Sequence, residues 1–141
     1  MNLALTDTSF LSHALVPSQL TQPAADLFEE ALNLDVKLVA TAPGLVEFLS
    51  LVRKLRTRGS LSEAEAERVF ASLAGGVTLV AMDEHDAFEG YALATRLGQS
   101  DTFDATGYVV ARRLGAEFWV SDRRFANMAT EAGLPGIRYE P

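Results

Sequence analysis

Five acidic residues, Asp7, Glu47, Asp101, Asp104 and Asp122, sit where a carboxylate can serve chemistry as well as solubility. Asp7 follows the first apolar run and Asp122 follows the last strongly apolar one. Asp101 and Asp104 are i and i+3, which makes them neighbours if the segment is helical. Two carboxylates ~4 Å apart repel by about 4 kcal/mol at an effective dielectric near 20. A cluster of them therefore either holds protons or binds cations. The chain has no cysteine, and none of these acids has a histidine nearby in sequence. An oxygen-only ligand set suits Mg²⁺ or Mn²⁺ rather than zinc. One such ion, or a pair, activates water and stabilises a leaving oxygen, which is the chemistry of phosphodiester hydrolysis.

For those acids to meet, the elements carrying them must share an edge. Asn2–Thr6 reads as a short strand, and Thr6-Asp7-Thr8-Ser9 as a helix start followed by Phe10, Leu11, Ala14 and Leu15, with Pro17 as the stop. A second helix runs from a Thr21 cap to about Leu34, and Lys37–Ala40 is a second strand. Thr41-Ala42-Pro43 opens a third helix, with Leu45, Phe48, Leu49, Val52 and Leu55 as its stripe and Glu47 in its first turn. A loop is expected over Arg56–Ser60. Ser62 and Glu65 form a capping box for a helix that Gly75-Gly76 is expected to end. Val77–Ala81 then forms a strand, Asp83–Leu97 and Asp101–Leu114 form helices, and Glu117–Ser121 forms a fourth strand. Arg123–Ala132 forms a last helix, and Ile137–Tyr139 adds an edge strand. Strands that alternate with helices imply an α/β domain, residues 1–141, with a central parallel sheet of four to five strands.

In such a sheet, right-handed crossovers put strand C-termini and the starts of the following helices on one edge, outside which ligands bind. All five acids fall on that edge. Each also has a structural reading: Asp7, Asp101 and Asp122 fit helix N-caps, and Glu47 fits an exposed face near a helix start. Their convergence favours a site.

Net charge is −7, unusual for a protein that binds phosphates, and it fits either solubility or neutralisation of bound cations. The absence of cysteine excludes disulfides and thiolate metal sites and fits a cytoplasmic protein. No signal peptide or membrane span is expected, since Leu38–Val52 is interrupted by Pro43, Gly44 and Glu47. Arg53, Lys54, Arg56 and Arg58, and the pair Arg112-Arg113, either contact phosphates or complement helix C-termini. Arg123 and Arg124 open a helix, where the dipole disfavours them, so they are the stronger RNA-contact candidates. Trp119 belongs in the core or a subunit interface. His13 and His85 have no motif context.

Three segments carry a resemblance. LALTDTSFLSHAL, PGLVEFLSLVRKL and FDATGYVVARRLGAEFWVSDRRF together resemble, in order and over nearly the whole chain, the motifs of PIN-domain ribonucleases, specifically VapC-type toxins of type II toxin–antitoxin pairs. The resemblance implies a three-layer PIN-like sandwich and a metal-dependent endoribonuclease. Asp7, Glu47, Asp104 and Asp122 would be the metal-site acids, Asp101 would be auxiliary, and Thr8 or Ser9 would support Asp7. It also implies an RNA substrate, a small antitoxin partner and a homodimer. One departure stands out: many relatives carry Thr or Ser two residues before the last acid, where this chain has Val120. A PIN-like binding module that has lost its chemistry is the alternative. A nucleotide-binding fold is disfavoured because neither G-x-G-x-x-G nor G-x-x-x-x-G-K-[ST] occurs. A receiver would resemble its family in needing a late lysine, and an Asp-x-Asp phosphatase would need Asp at Ser9; neither condition is met.

Overall fold

A computed structural model describes residues 2–141. The elements follow in the order β1 (Leu3–Thr6), α1 (Thr8–Leu15), α2 (Gln22–Asn33), β2 (Lys37–Thr41), α3 (Ala42–Thr57), α4 (Glu63–Gly76), β3 (Val77–Val80), α5 (Glu84–Leu97), α6 (Phe103–Arg113), β4 (Glu117–Val120), α7 (Arg123–Glu131) and β5 (Ile137–Tyr139). Local chemistry accounts for most helix starts. Asp7, Thr41, Ser62, Asp83 and Asp122 each accept a backbone N–H from the first turn they cap, and both Ser62–Glu65 and Asp83–Asp86 close full capping boxes.

All five strands pair in parallel, in the order β3-β2-β1-β4-β5. The chain winds outward from β1 through β2 to β3, then returns to β1's other side for β4 and β5. The reversal falls between β1 and β4. Alternate strand residues feed two cores. Ala4, Leu38 and Trp119 pack with α1 to α4, while Leu5, Val39, Phe118 and Val120 pack with α6 and α7, flanked by Leu93 and Leu97 of α5. Helices therefore cover both faces of the sheet, as an all-parallel sheet requires. Among the described residues, no helix is long and apolar enough to cross a membrane.

Three boundaries depart from the sequence-based expectation. Helix α4 does end at the Gly75-Gly76 pair, but both glycines are its last helical residues rather than a left-handed cap outside it. Gly76 instead permits close packing: a Cβ there would stand 3.0 Å from the Phe28 ring of α2. Helix α3 runs on to Thr57, so the expected Arg56–Ser60 loop starts at Arg58. Helix α6 begins at Phe103, which leaves Asp101 in the preceding turn.

Helices α5 and α6 cross where Gly90 meets Thr106. A Cβ on Gly90 would lie 2.8 Å from the Thr106 Cα, so backbone must move to admit it. Gly90→Ala is therefore expected to lose about 1–3 kcal/mol of stability in urea unfolding, overriding the roughly 1 kcal/mol that alanine contributes in an exposed helix.

Candidate metal centre

Asp7 ends β1 and Asp122 ends β4, so the two flank the point where strand order reverses, the usual crevice of an open parallel sheet. Both serve as N-caps as well. Asp7 Oδ1 accepts the Phe10 N–H at 2.9 Å and the Ser9 hydroxyl at 2.7 Å. Asp122 Oδ1 accepts the Phe125 N–H at 3.2 Å. The structural and site readings of these residues are therefore compatible, because a cap occupies one carboxylate oxygen and leaves the other free.

Asp104 lies in the first turn of α6. Glu47 lies in the second turn of α3, one turn later than expected, because Thr41 caps at the strand's last residue and Pro43 and Gly44 fill the first turn. Asp101 is not helical; its carboxylate accepts the Phe103 N–H at 3.2 Å and so fixes the entry to α6.

The five acids sense one another. Burial, followed by the charge of Asp104, pushes the Asp7 carboxyl up to about 8, against the hydrogen bonds from Phe10 and Ser9. Burial, then Asp122, Asp101 and Glu47, push Asp104 up to about 6, and a hydrogen bond shared with Asp7 works the other way. Burial and then Asp101 raise Glu47, offset by the Thr8 hydroxyl. Buried like charges of this kind either hold protons or take up a cation. Among the described residues, no three acidic or histidine side chains stand close enough together to hold an ion as placed. The donor chemistry fits a hard divalent cation, and the mutual repulsion is what such a cation relieves.

Two hollows meet at Asp104. The first, about 220 Å³, is lined by Asp7, Thr8, Glu47 and Asp104 together with Met82 and Phe103. The second, about 120 Å³, holds Asp101, Asp104, Asp122 and Arg124. Arg124 therefore sits among the acids. Arg123 instead donates to the Tyr139 hydroxyl at 3.3 Å.

Of the two hydroxyls expected to support Asp7, Ser9 does so, while the Thr8 hydroxyl donates to the Gly44 carbonyl. Val120 has no hydroxyl to offer, but the Ser121 N–H donates to Ser9 Oγ at 2.9 Å and ties β4 to Asp7 through the backbone. The other cations do not line either hollow. Arg113 grips Asp86 with two hydrogen bonds of 2.8 and 2.7 Å. Arg53, Lys54, Arg56 and Arg58 lie beyond Glu47 towards the end of α3, about 9–16 Å further along at 1.5 Å per residue. Trp119 is core: it is 2% exposed, its ring is edge-on to Phe10, and Arg138 lies over its face.

Known structures share this architecture. VapBC2 from Rickettsia felis, bound to a DNA fragment from their promoter, superposes with a TM-score of 0.65 at 14% identity, covering 99% of both chains. PAE2754 from Pyrobaculum aerophilum gives 0.65 at 16% identity, over 90% of this chain and 86% of that one. Mycobacterium tuberculosis VapC20, a sarcin-ricin loop cleaving toxin, gives 0.66 at 15% identity, over 98% of this chain and 99% of that one. At these identities the likeness concerns the fold. No curated protein sequence matches the chain. The PIN domain family model, however, matches residues 4–131, from β1 through α7 and across all five acids. With the ordered acids and the β3-β2-β1-β4-β5 sheet, that match makes the chain a member of the PIN domain family.

Proposed function

We propose that the chain, acting as one domain, is a Mg²⁺- or Mn²⁺-dependent endoribonuclease, and that it is the toxin half of a VapBC-type pair. The observation that carries this reading is the placement of Asp7, Glu47, Asp101, Asp104 and Asp122 around two hollows that share Asp104 at the sheet's reversal point. Asp7, Glu47, Asp104 and Asp122 would hold the cation, with Asp101 auxiliary. When bound, the ion supplies an activated water and neutralises the leaving oxygen. The protein's own share is positional. Ser9 and the Phe10 N–H orient Asp7. Arg124, beside Asp122, meets a phosphate, and Arg123 extends that contact outward. The VapBC2 neighbour supports a small antitoxin as partner. A homodimer in the cytoplasm completes the reading.

Purified protein is expected to cleave single-stranded RNA with Mn²⁺ and not with EDTA. Intact RNA in both would leave the binding-module alternative. Metal binding has a separate readout. Because Asp7 and Asp104 titrate above the unfolded carboxylate value, the metal-free fold holds more protons than the unfolded chain and loses stability as pH rises from about 4 towards 8. A cation relieves that loss. The gain in melting temperature from Mn²⁺ over matched ionic strength is expected to be larger at pH 8 than at pH 6, and ion at 100 times its dissociation constant adds about 2.7 kcal/mol of stability. An equal or absent gain at both pH values would count against an acid-held ion.

A further inference from the structure

We propose that Phe103 is a base-stacking residue that seats one nucleobase in the cleft beside Asp104; the assignment rests on the ribonuclease reading above. Phe103 is the first residue of α6, adjacent in sequence to Asp104, and 57% exposed. It lines the 220 Å³ hollow together with Asp7, Glu47 and Asp104. The position is set by a local device, since Asp101 accepts the Phe103 N–H and fixes the turn that presents the ring. Other exposed aromatics, Phe70, Phe88 and Tyr91, do not line this hollow.

The surroundings suit a flat apolar ring rather than a charged group. Met82, Ala87 and Pro43 share the lining with Phe103. The hollow is smaller than the roughly 300–1,000 Å³ of pockets that enclose a drug-sized ligand, so it takes a single ring system. Electrostatics alone is a poor source of RNA affinity here. The chain carries a net charge of −7, and Arg124 is the one cation lining the acid hollows. Stacking is a sequence-tolerant source of affinity that needs no positive charge, because every base has a π-face.

The test measures binding without cleavage, using fluorescence anisotropy of a labelled oligouridylate in Ca²⁺, with the RNA shown intact afterwards. Phe103→Ala is expected to weaken binding roughly ten- to hundredfold. Phe103→Trp restores it, and Phe103→Leu, which keeps apolar bulk and removes the π-face, does not. An oligomer of the same length without bases binds wild type and Phe103→Ala equally. In Phe103→Trp, the oligouridylate quenches the new indole and the abasic oligomer does not. Across a salt series, Phe103→Ala shifts affinity without changing slope, whereas Arg124→Ala reduces the slope by about 0.7. The exposed site keeps these variants folded, and matched melting curves check that. Wild-type affinity in Phe103→Ala or Phe103→Leu, or an unquenched indole, overturns the stacking role alone. Failure of the wild type to bind any oligomer overturns the RNA reading and the stacking role with it.

Discussion

Replacing Asp104 with Asn is expected to lower Mn²⁺-dependent RNA cleavage by orders of magnitude while leaving the metal-free protein as stable as the parent, or more so. Asparagine keeps the shape, so packing in the first turn of α6 is preserved. It removes a charge that burial, Asp122, Asp101 and Glu47 all oppose. It also removes the largest like-charge influence on Asp7, whose carboxyl should therefore titrate lower than about 8. A solvated or merely capping acid would behave differently: activity would survive, and at most about 1 kcal/mol of stability would be lost. Cleavage rates measured beside urea unfolding in EDTA separate the two. A variant that keeps full activity would remove Asp104 from the site. Opposite movement of activity and metal-free stability marks a ligand held against electrostatic repulsion.

Arg113→Ala is expected to lower the melting temperature at pH 7 by roughly 10 °C, because stripping the partner from a buried charge costs several kcal/mol. Asp86 is 1% exposed, caps α5 with Asp83, and is gripped by Arg113, which also donates to the Ala81 carbonyl. Arg113 is 41% exposed, so the loss follows from abandoning Asp86 in the interior rather than from the arginine itself. The hydrogen bonds from Arg113 hold the Asp86 carboxyl below its usual value. A depressed pKa contributes stability that is present above the unfolded value, near pH 4, and lost as pH falls through the folded one. The gap between parent and variant should therefore narrow on acidification to about pH 3. Cleavage per folded molecule should not change, since neither Asp86 nor Arg113 lines the hollows at Asp104. Equal melting temperatures at pH 7 would show that water already solvates Asp86 in the fold.

Much of the scaffold was legible in the chain itself, for reasons that act within a few residues. The pairs Ser62–Glu65 and Asp83–Asp86 satisfy backbone groups three positions away, so their helices start where the residues say. Short apolar runs between helical stripes mark buried parallel strands. Asp7 and Asp122 were visible because each follows such a run and precedes a helix, which in a parallel sheet places it on the ligand edge. The misplaced end of α4 shows the limit of that logic. A Gly-Gly pair suggests a stop ahead of it, but α4 takes in both glycines and ends at Gly76, which packs against the Phe28 ring. Local residues do not reveal what tertiary contact will use them for. The same holds for the Arg112-Arg113 pair, which looks like a phosphate contact or a dipole complement until Arg113 meets an aspartate 27 residues away. Val120 suggests a missing support for the site, yet a backbone N–H reaches Ser9 across 112 positions and replaces it. The amino-acid sequence by itself determined which residues are acidic, which cap a helix and which elements alternate. The order of strands and the crossing of α5 over α6 decided which of those acids share one field and which arginine stands beside them. Coulomb forces and hydrogen bonds act over a few ångströms, and only the folded chain brings such distant positions within that range.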